Sequence, residues 1–303
     1  MPGSTTGWFG PPQRDDDEPT ELIPPIRNRR RQAGSGGADR VRMAIFVLGE
    51  VLITLGLVVL LFVVYEVYVT DWLSAGKQRD ATSELDRHWT DEPPEPGNQR
   101  TEKIRPAEGE GFAKLYIPAF GSDFVFTVLE GTSDRILEIG PGHYKDTALP
   151  GEPGNFSVAG HRVGKGAPFN DLDLLRSCDA IVIETRSDWF VYRVLPMPGE
   201  VTGWDRGRGA SAQCTDVRPL GAPYEDLVGR QIVLPSQSSV IAPIPNHPER
   251  LAPPDRQVAL ISLTTCHPRF SAKQRLIVHG VFTKQYPKDP ANPGARPIEL
   301  TEG

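Results

Sequence analysis

Leu263-Thr264-Thr265-Cys266-His267-Pro268, followed shortly by Gln274-Arg275, is the stretch on which the reading of this chain turns. Before it runs Val258 to Leu263, apolar and rich in β-branched residues; after it runs Leu276 to Phe282, again mostly apolar. Both read as strands. The interval His267 to Lys273 suits a loop between antiparallel neighbours. In such a hairpin Cys266, closing one strand, meets Arg275, opening the next. A guanidinium beside a thiol favours the thiolate and can also stabilise an oxyanion.

A cysteine nucleophile needs a base, and the chain has six histidines. His267 adjoins Cys266, and adjacent residues of a strand point to opposite faces. His279 lies four residues past Arg275, about 13 Å along a strand at about 3.3 Å per residue. His88 stands in a charged stretch and His247 in a Pro-rich one. His161 ends the short strand Asn155-Phe156-Ser157-Val158-Ala159-Gly160, after a glycine that frees the backbone. It is the best-placed candidate, with a structural or surface histidine as the bland alternative.

Working outward, 303 residues leave room for one or two domains. Thirty glycines, thirty prolines and a 38% apolar fraction predict that much of the chain is unstructured. A net charge of −6 argues against a nucleic-acid partner. Three cysteines are too few for a disulfide framework.

Residues 1–42 are expected to be a disordered tail, with an acidic patch at 15–18 and a basic cluster at Arg27, Arg29, Arg30 and Arg31. Met43 to Tyr65 is long and apolar enough to cross a bilayer, with no clear signal-peptide cleavage site. Arginines crowd its N-terminal side, which predicts a cytoplasmic N-terminus and an extracytoplasmic remainder. Membrane lipid is therefore an expected partner. Glu50 is the costly residue of the span, either snorkelling or meeting another helix. Residues 66–110 read as a stalk, helical in part over Ser83 to Trp89. From 111 to 286 about eight short strands with Gly and Pro punctuation predict an all-β barrel or sandwich. Thr132 to Ile139 is expected to be a short helix, Pro196 to Gly229 a long wall or lid, and 287–303 a disordered tail.

Ala159-Gly160-His161-Arg162, Thr264-Thr265-Cys266 and Gln274-Arg275, in this order, resemble the sortases, cysteine transpeptidases that attach proteins to Gram-positive cell walls. The resemblance covers roughly residues 112 to 285. The segments Thr147 to Phe156, Val233 to Gln237 and Cys266 to Ala272 look like the class E sortases of high-GC actinobacteria. The resemblance implies a sortase β-barrel, a membrane-bound thiol enzyme and catalytic roles for His161, Cys266 and Arg275. Cys266 would attack a peptide carbonyl, Arg275 hold the oxyanion, and His161 protonate the leaving amine and then activate the incoming one. It also implies the partners: secreted proteins with a sorting signal near Leu-Pro/Ala-x-Thr-Gly, cut after Thr, and a peptidoglycan-precursor amine.

Tyr144, Thr264 and Thr265 are the candidate substrate-binding residues, Tyr144 because the class E pattern links a tyrosine there to Ala over Pro at the second motif position. No cofactor is required, and no carboxylate cluster has convincing metal-ligand spacing. Cys178 and Cys214 match no catalytic position of the pattern and are a possible disulfide, two unpaired thiols being the alternative. Another cell-wall cysteine peptidase, an L,D-transpeptidase and a non-catalytic β-domain with a buried Cys266 are the competing readings. The order His-then-Cys argues against a papain-like peptidase.

Overall fold

The computed structural model describes residues 36–65, 69–91, 105–250, 252–253, 256–289, 291–292 and 294–302. The expected tail up to residue 35, with both its charge clusters, and residues 92–104 of the expected stalk lie outside the described residues. The chain divides into two units, Met1–Gly56 and Leu57–Gly303.

Helix α1 spans Gly36–Val64, starting ahead of the expected Met43. Its 29 residues reach about 43 Å at 1.5 Å per residue, more than the bilayer core of about 30 Å. It is long and apolar enough to cross a membrane. Its large apolar side chains are exposed throughout, from 76% at Phe46 to 42% at Val64, among the described residues. This makes it a candidate membrane anchor.

Among the described residues of the second unit, nine strands follow: β1 Gly111–Tyr116, β2 Val125–Glu130, β3 Gly142–His143, β4 Gly154–Ala159, β5 Ala180–Glu184, β6 Asp188–Val194, β7 Arg230–Val233, β8 Ala259–His267 and β9 Gln274–Pro287. Their order is β6-β5-β1-β2-β3-β4-β8-β9, and β9 pairs back onto β6, so eight strands close a barrel. Strand β7 adds to β9 outside the ring. The two-residue β3 is too short to leave a periodicity in sequence; it pairs parallel with β2 and antiparallel with β4. A single turn of helix, α3 Asp134–Leu137, sits inside the expected 132–139. Phe112, Leu115, Phe156, Val158, Phe169, Ile181, Tyr192, Ile261, Leu263 and Val278 fill the core.

Strands β5 and β6 are buried on both faces, which is why they read as continuous apolar runs rather than alternations. Ile181, Ile183, Phe190 and Tyr192 face the core. Ala180, Val182, Trp189 and Val191 form a second cluster with Tyr116, Tyr286 and Leu300. That outer layer corrects the expectation of a disordered 287–303 tail. Residues Ile298–Thr301 form a 3-10 turn over it. Lys284 Nζ pairs with the fully buried Glu299 at 3.0 Å, and Arg193 holds both carboxylate oxygens of Glu302. A segment that covers apolar surface and neutralises two charges has reason to be ordered.

The expected 66–110 stalk is likewise more than a spacer. Thr70–Asp91 is a 22-residue helix, α2, packed on β1 and β2. Gln78 Oε1 accepts from Thr127 N at 2.8 Å and its Nε2 donates to Thr127 O at 3.1 Å, so one side chain pairs with β2 as a strand would. Leu85 is buried beneath the same helix.

Candidate active site

The β8–β9 hairpin sets half of the site. Its pairs end at Cys266↔Arg275 and His267↔Gln274, with 268–273 as the loop. Directly opposed residues share a face, with Cβ atoms about 4.5–5.5 Å apart. The Arg275 guanidinium turns back over the mouth of the hairpin, donating to Ala272 O at 3.0 Å and Gln274 O at 3.1 Å. A guanidinium has five N–H donors, so these bonds leave donors for an anion. Cys266 is a free, half-buried thiol.

The other half comes from far upstream. Strand β4 runs parallel to β8 in the register Ala159↔Thr264. Gly160 N donates to Thr264 O at 3.0 Å, continuing the ladder. Two residues past Ala159 and two past Thr264 lie His161 and Cys266, level at the ends of neighbouring strands. Both line one cleft of about 250 Å³ with Arg162, Val163, Phe270, Ser271 and Ala272. Gly160 is required here: a Cβ would stand 2.6 Å from the Phe169 ring. Phe169 N in turn donates to His161 O at 3.0 Å, so the ring and the histidine are tied together.

His161 Nε2 is shielded from solvent and has no hydrogen-bond partner among the described residues. Burial, and then the Lys165 ammonium, push its pKa below the ordinary histidine value, partly opposed by Asp134 and Glu138. The ring is thus kept neutral near pH 7, able to take a proton and pass it on.

Two braces lock the strand ends together. Thr265 Oγ1 donates to Gly160 O at 2.8 Å, and the side chain is buried. Its hydroxyl is therefore donated to the backbone just past β4, where it holds the two strand ends together. Arg162, 4% exposed, pairs with Asp173 at 3.0 Å and donates to His267 Nδ1 at 2.8 Å. Its acceptor Asp173 lies eleven positions downstream, so the sequence offered no sign of this role. On the Cys266 face of β8, Thr264 Oγ1 and Tyr144 Oη are bonded at 2.9 Å. Phe270, 83% exposed, stands at the lip of the cleft, a place that the sequence alone does not reveal.

Cys178, just before β5, and Cys214, in the long connection after β6, are disulfide-bonded with Cα atoms 5.2 Å apart and packed with Trp204 and Val217. The bond leaves Cys266 as the free thiol. The remaining histidines lie elsewhere. His279 is fully buried between Ser262 at 2.7 Å and Gln231 at 2.6 Å, and His143 pairs with Glu130 at 2.6 Å. His247 sits between Asp226 and Glu249 on the surface, and His88 is exposed.

Comparison with known proteins gives one answer. The sortase domain family matches residues 115–283. Sortase SrtE1 of Streptomyces coelicolor is 32% identical over 88% of this chain and 65% of its own length. The chain thus spans slightly less than two thirds of that relative. Sortase SrtE2 of the same organism is 32% identical over 84% of this chain and 90% of its own length. The structure of the SrtF sortase from Corynebacterium diphtheriae is 46% identical, covers 67% of this chain and 97% of its own, and superposes with a TM-score of 0.56.

Proposed function

The chain belongs to the sortase family, and on that premise we propose that it is a membrane-anchored cysteine transpeptidase working through Cys266, His161 and Arg275. The observation that carries this reading is the register of three strands. The parallel β4–β8 pair and the antiparallel β8–β9 pair bring a histidine, a free thiol and an arginine to one end of the barrel from positions up to 114 residues apart.

The chemistry follows from the groups. Cys266 gives its proton to His161, and Sγ attacks the carbonyl carbon of the Thr–Gly bond of a Leu-Pro/Ala-x-Thr-Gly signal. Arg275 N–H groups hold the oxyanion of the tetrahedral adduct. The adduct collapses to a thioester as His161 donates its proton to the departing glycine amine. An incoming cell-wall amine gives its proton back to His161 as it attacks the thioester, and the thiolate leaves. The cleft beside Cys266 keeps this exchange partly shielded from water.

Sortases act on sorting-signal proteins and a cell-wall amine. For this chain the proposed donor is a secreted protein with such a signal, and the acceptor a peptidoglycan-precursor amine. Tyr144 and Thr264 are proposed to read the second motif position, their bonded hydroxyls lying two residues before Cys266 on the same strand face. The arginines before α1 support a cytoplasmic N-terminus with the barrel outside.

The test is incubation of the chain with Leu-Ala-x-Thr-Gly and Leu-Pro-x-Thr-Gly peptides and a set of amines, read by mass spectrometry. A Thr-amine product and a Cys266 thioester, both lost in Cys266→Ala, are expected. Product formation by Cys266→Ala refutes the assignment. Equal use of both peptides, unchanged in Tyr144→Phe, refutes the specificity role.

A further inference from the structure

The loop behind His161 has an unusual backbone. Gly164, Lys165, Gly166 and Ala167 are consecutive and all have positive φ, at 62°, 54°, 75° and 34°. Two of them are not glycine, so the conformation is strained and needs outside support. The loop closes only in part on itself, through Ala167 N to Gly164 O at 2.9 Å.

The support comes from the first turn of α2. Asp71 Oδ1 accepts from Gly166 N at 2.9 Å, and Thr70 Oγ1 accepts from Lys165 N at 3.4 Å. A Cβ on Gly166 would already be at 3.6 Å from Ser74 of the same helix. A bridge of charges repeats the link: Glu138 takes Lys165 Nζ at 3.0 Å on one oxygen and Lys77 Nζ of α2 at 3.3 Å on the other.

The helix can bear this load because it is itself fixed in register. Gln78 holds Thr127 and the Ile139 carbonyl, and Thr82 Oγ1 meets Thr127 Oγ1 at 2.7 Å. Gly140 has no side chain where one would collide with Gln78.

We propose that α2 is a positioning element for the catalytic site: Thr70 and Asp71 hold the 164–167 loop in its strained shape, and the loop in turn sets where the His161 imidazole stands relative to Cys266. The proposal rests on the transpeptidase reading of the site. It gives the segment joining the apolar helix to the barrel a part in catalysis beyond tethering. The charges that face His161 are Lys165 in the loop, Asp134 and Glu138 near α3, and Arg162 beside Cys266 in the cleft. Lys165 belongs to the strapped loop, so releasing the strap moves a cation that acts on the histidine.

The experiment uses the full chain in detergent micelles and compares wild type, Asp71→Ala, Asp71→Asn and Cys266→Ala. Two readouts are taken across pH: turnover of a Leu-Ala-x-Thr-Gly peptide, and the rate of Cys266 alkylation by iodoacetamide. Asp71→Ala should lower kcat about tenfold, since small misplacements of a catalytic group carry such costs, with KM for the peptide little changed. The acid limb of both profiles should move up toward the ordinary histidine value, because the imidazole becomes better hydrated and Lys165 is freed. Asp71→Asn keeps Oδ1 as an acceptor and should restore most of both. Wild-type kcat and profiles in Asp71→Ala, at an unchanged melting temperature, overturn the proposal. So does a loss that Asp71→Asn fails to rescue. If wild type turns over no peptide, the transpeptidase reading is what fails, and the alkylation profile still decides the strap.

Discussion

Gly160→Ala adds one methyl group beside the site, and its effect can be worked through from the contacts. The new Cβ would lie 2.6 Å from Phe169 Cδ2 and 2.9 Å from Cε2 and Cγ. Carbon atoms rest at about 3.5–4.0 Å, so the ring has to retreat by about 1 Å. It has little room, being fully buried in the main core. Overpacking of this kind costs about 1–3 kcal/mol. The strain also reaches the chemistry. Phe169 N is bonded to His161 O, and Gly160 itself is bonded to β8 on both sides, through Thr264 O and Thr265 Oγ1. Movement of the ring or of the strand end therefore moves His161 relative to Cys266, and an error of about 1 Å can lower turnover about 100-fold. Urea unfolding and peptide turnover should both report the change. Gly160→Ala/Phe169→Leu, which removes the ring edge, should recover more activity than stability, since it still loses aromatic burial. Wild-type turnover in Gly160→Ala would refute the argument. A loss of stability at unchanged kcat would show that the contact packs the core without positioning the histidine.

Four other outcomes are expected. Arg275→Ala should lower kcat by about 10²–10³-fold with peptide KM nearly unchanged, and near-normal transpeptidation in steady-state assays removes Arg275 from the mechanism. Phe270→Ala should instead raise KM, by about three- to tenfold if the exposed ring packs on the signal peptide, with kcat preserved. Burial pushes the pKa of His279 down to about 3, below its ordinary value of about 6.5. Its contribution to stability is thus complete above about pH 6.5 and is lost as the pH falls toward 3, amounting to about 2 kcal/mol by pH 5. Urea unfolding at pH 7 and pH 5 measures that loss, and an equal loss in His279→Gln would assign it elsewhere. Replacing Cys178 and Cys214 by serine opens a link of sequence separation 36, worth about 4 kcal/mol on the chain-entropy model. A measured loss below about 1 kcal/mol would contradict that account.

The sequence by itself determined what depends on neighbours along the chain. The hairpin around Cys266 was legible because a short loop leaves little choice of register, so Cys266 and Arg275 fall opposite each other. The candidate membrane helix was legible because its length and composition are local properties. The motifs in their order pointed to the family. Tertiary structure alone decided what joins distant segments. His161 meets Cys266 through a parallel pairing, whose register no connecting turn dictates and which the packing of Phe156, Val158, Ile261 and Leu263 in one core fixes. Arg162 found its carboxylate at Asp173, and α2 docked through Gln78 on a β2 backbone about fifty residues away. The polar, charged 70–91 stretch and the 298–302 tail looked like solvated chain because their burial rests on a few hydrogen bonds, ion pairs and a single leucine each. Such contacts carry no periodicity, and they exist only once the closed barrel has brought their partners into place.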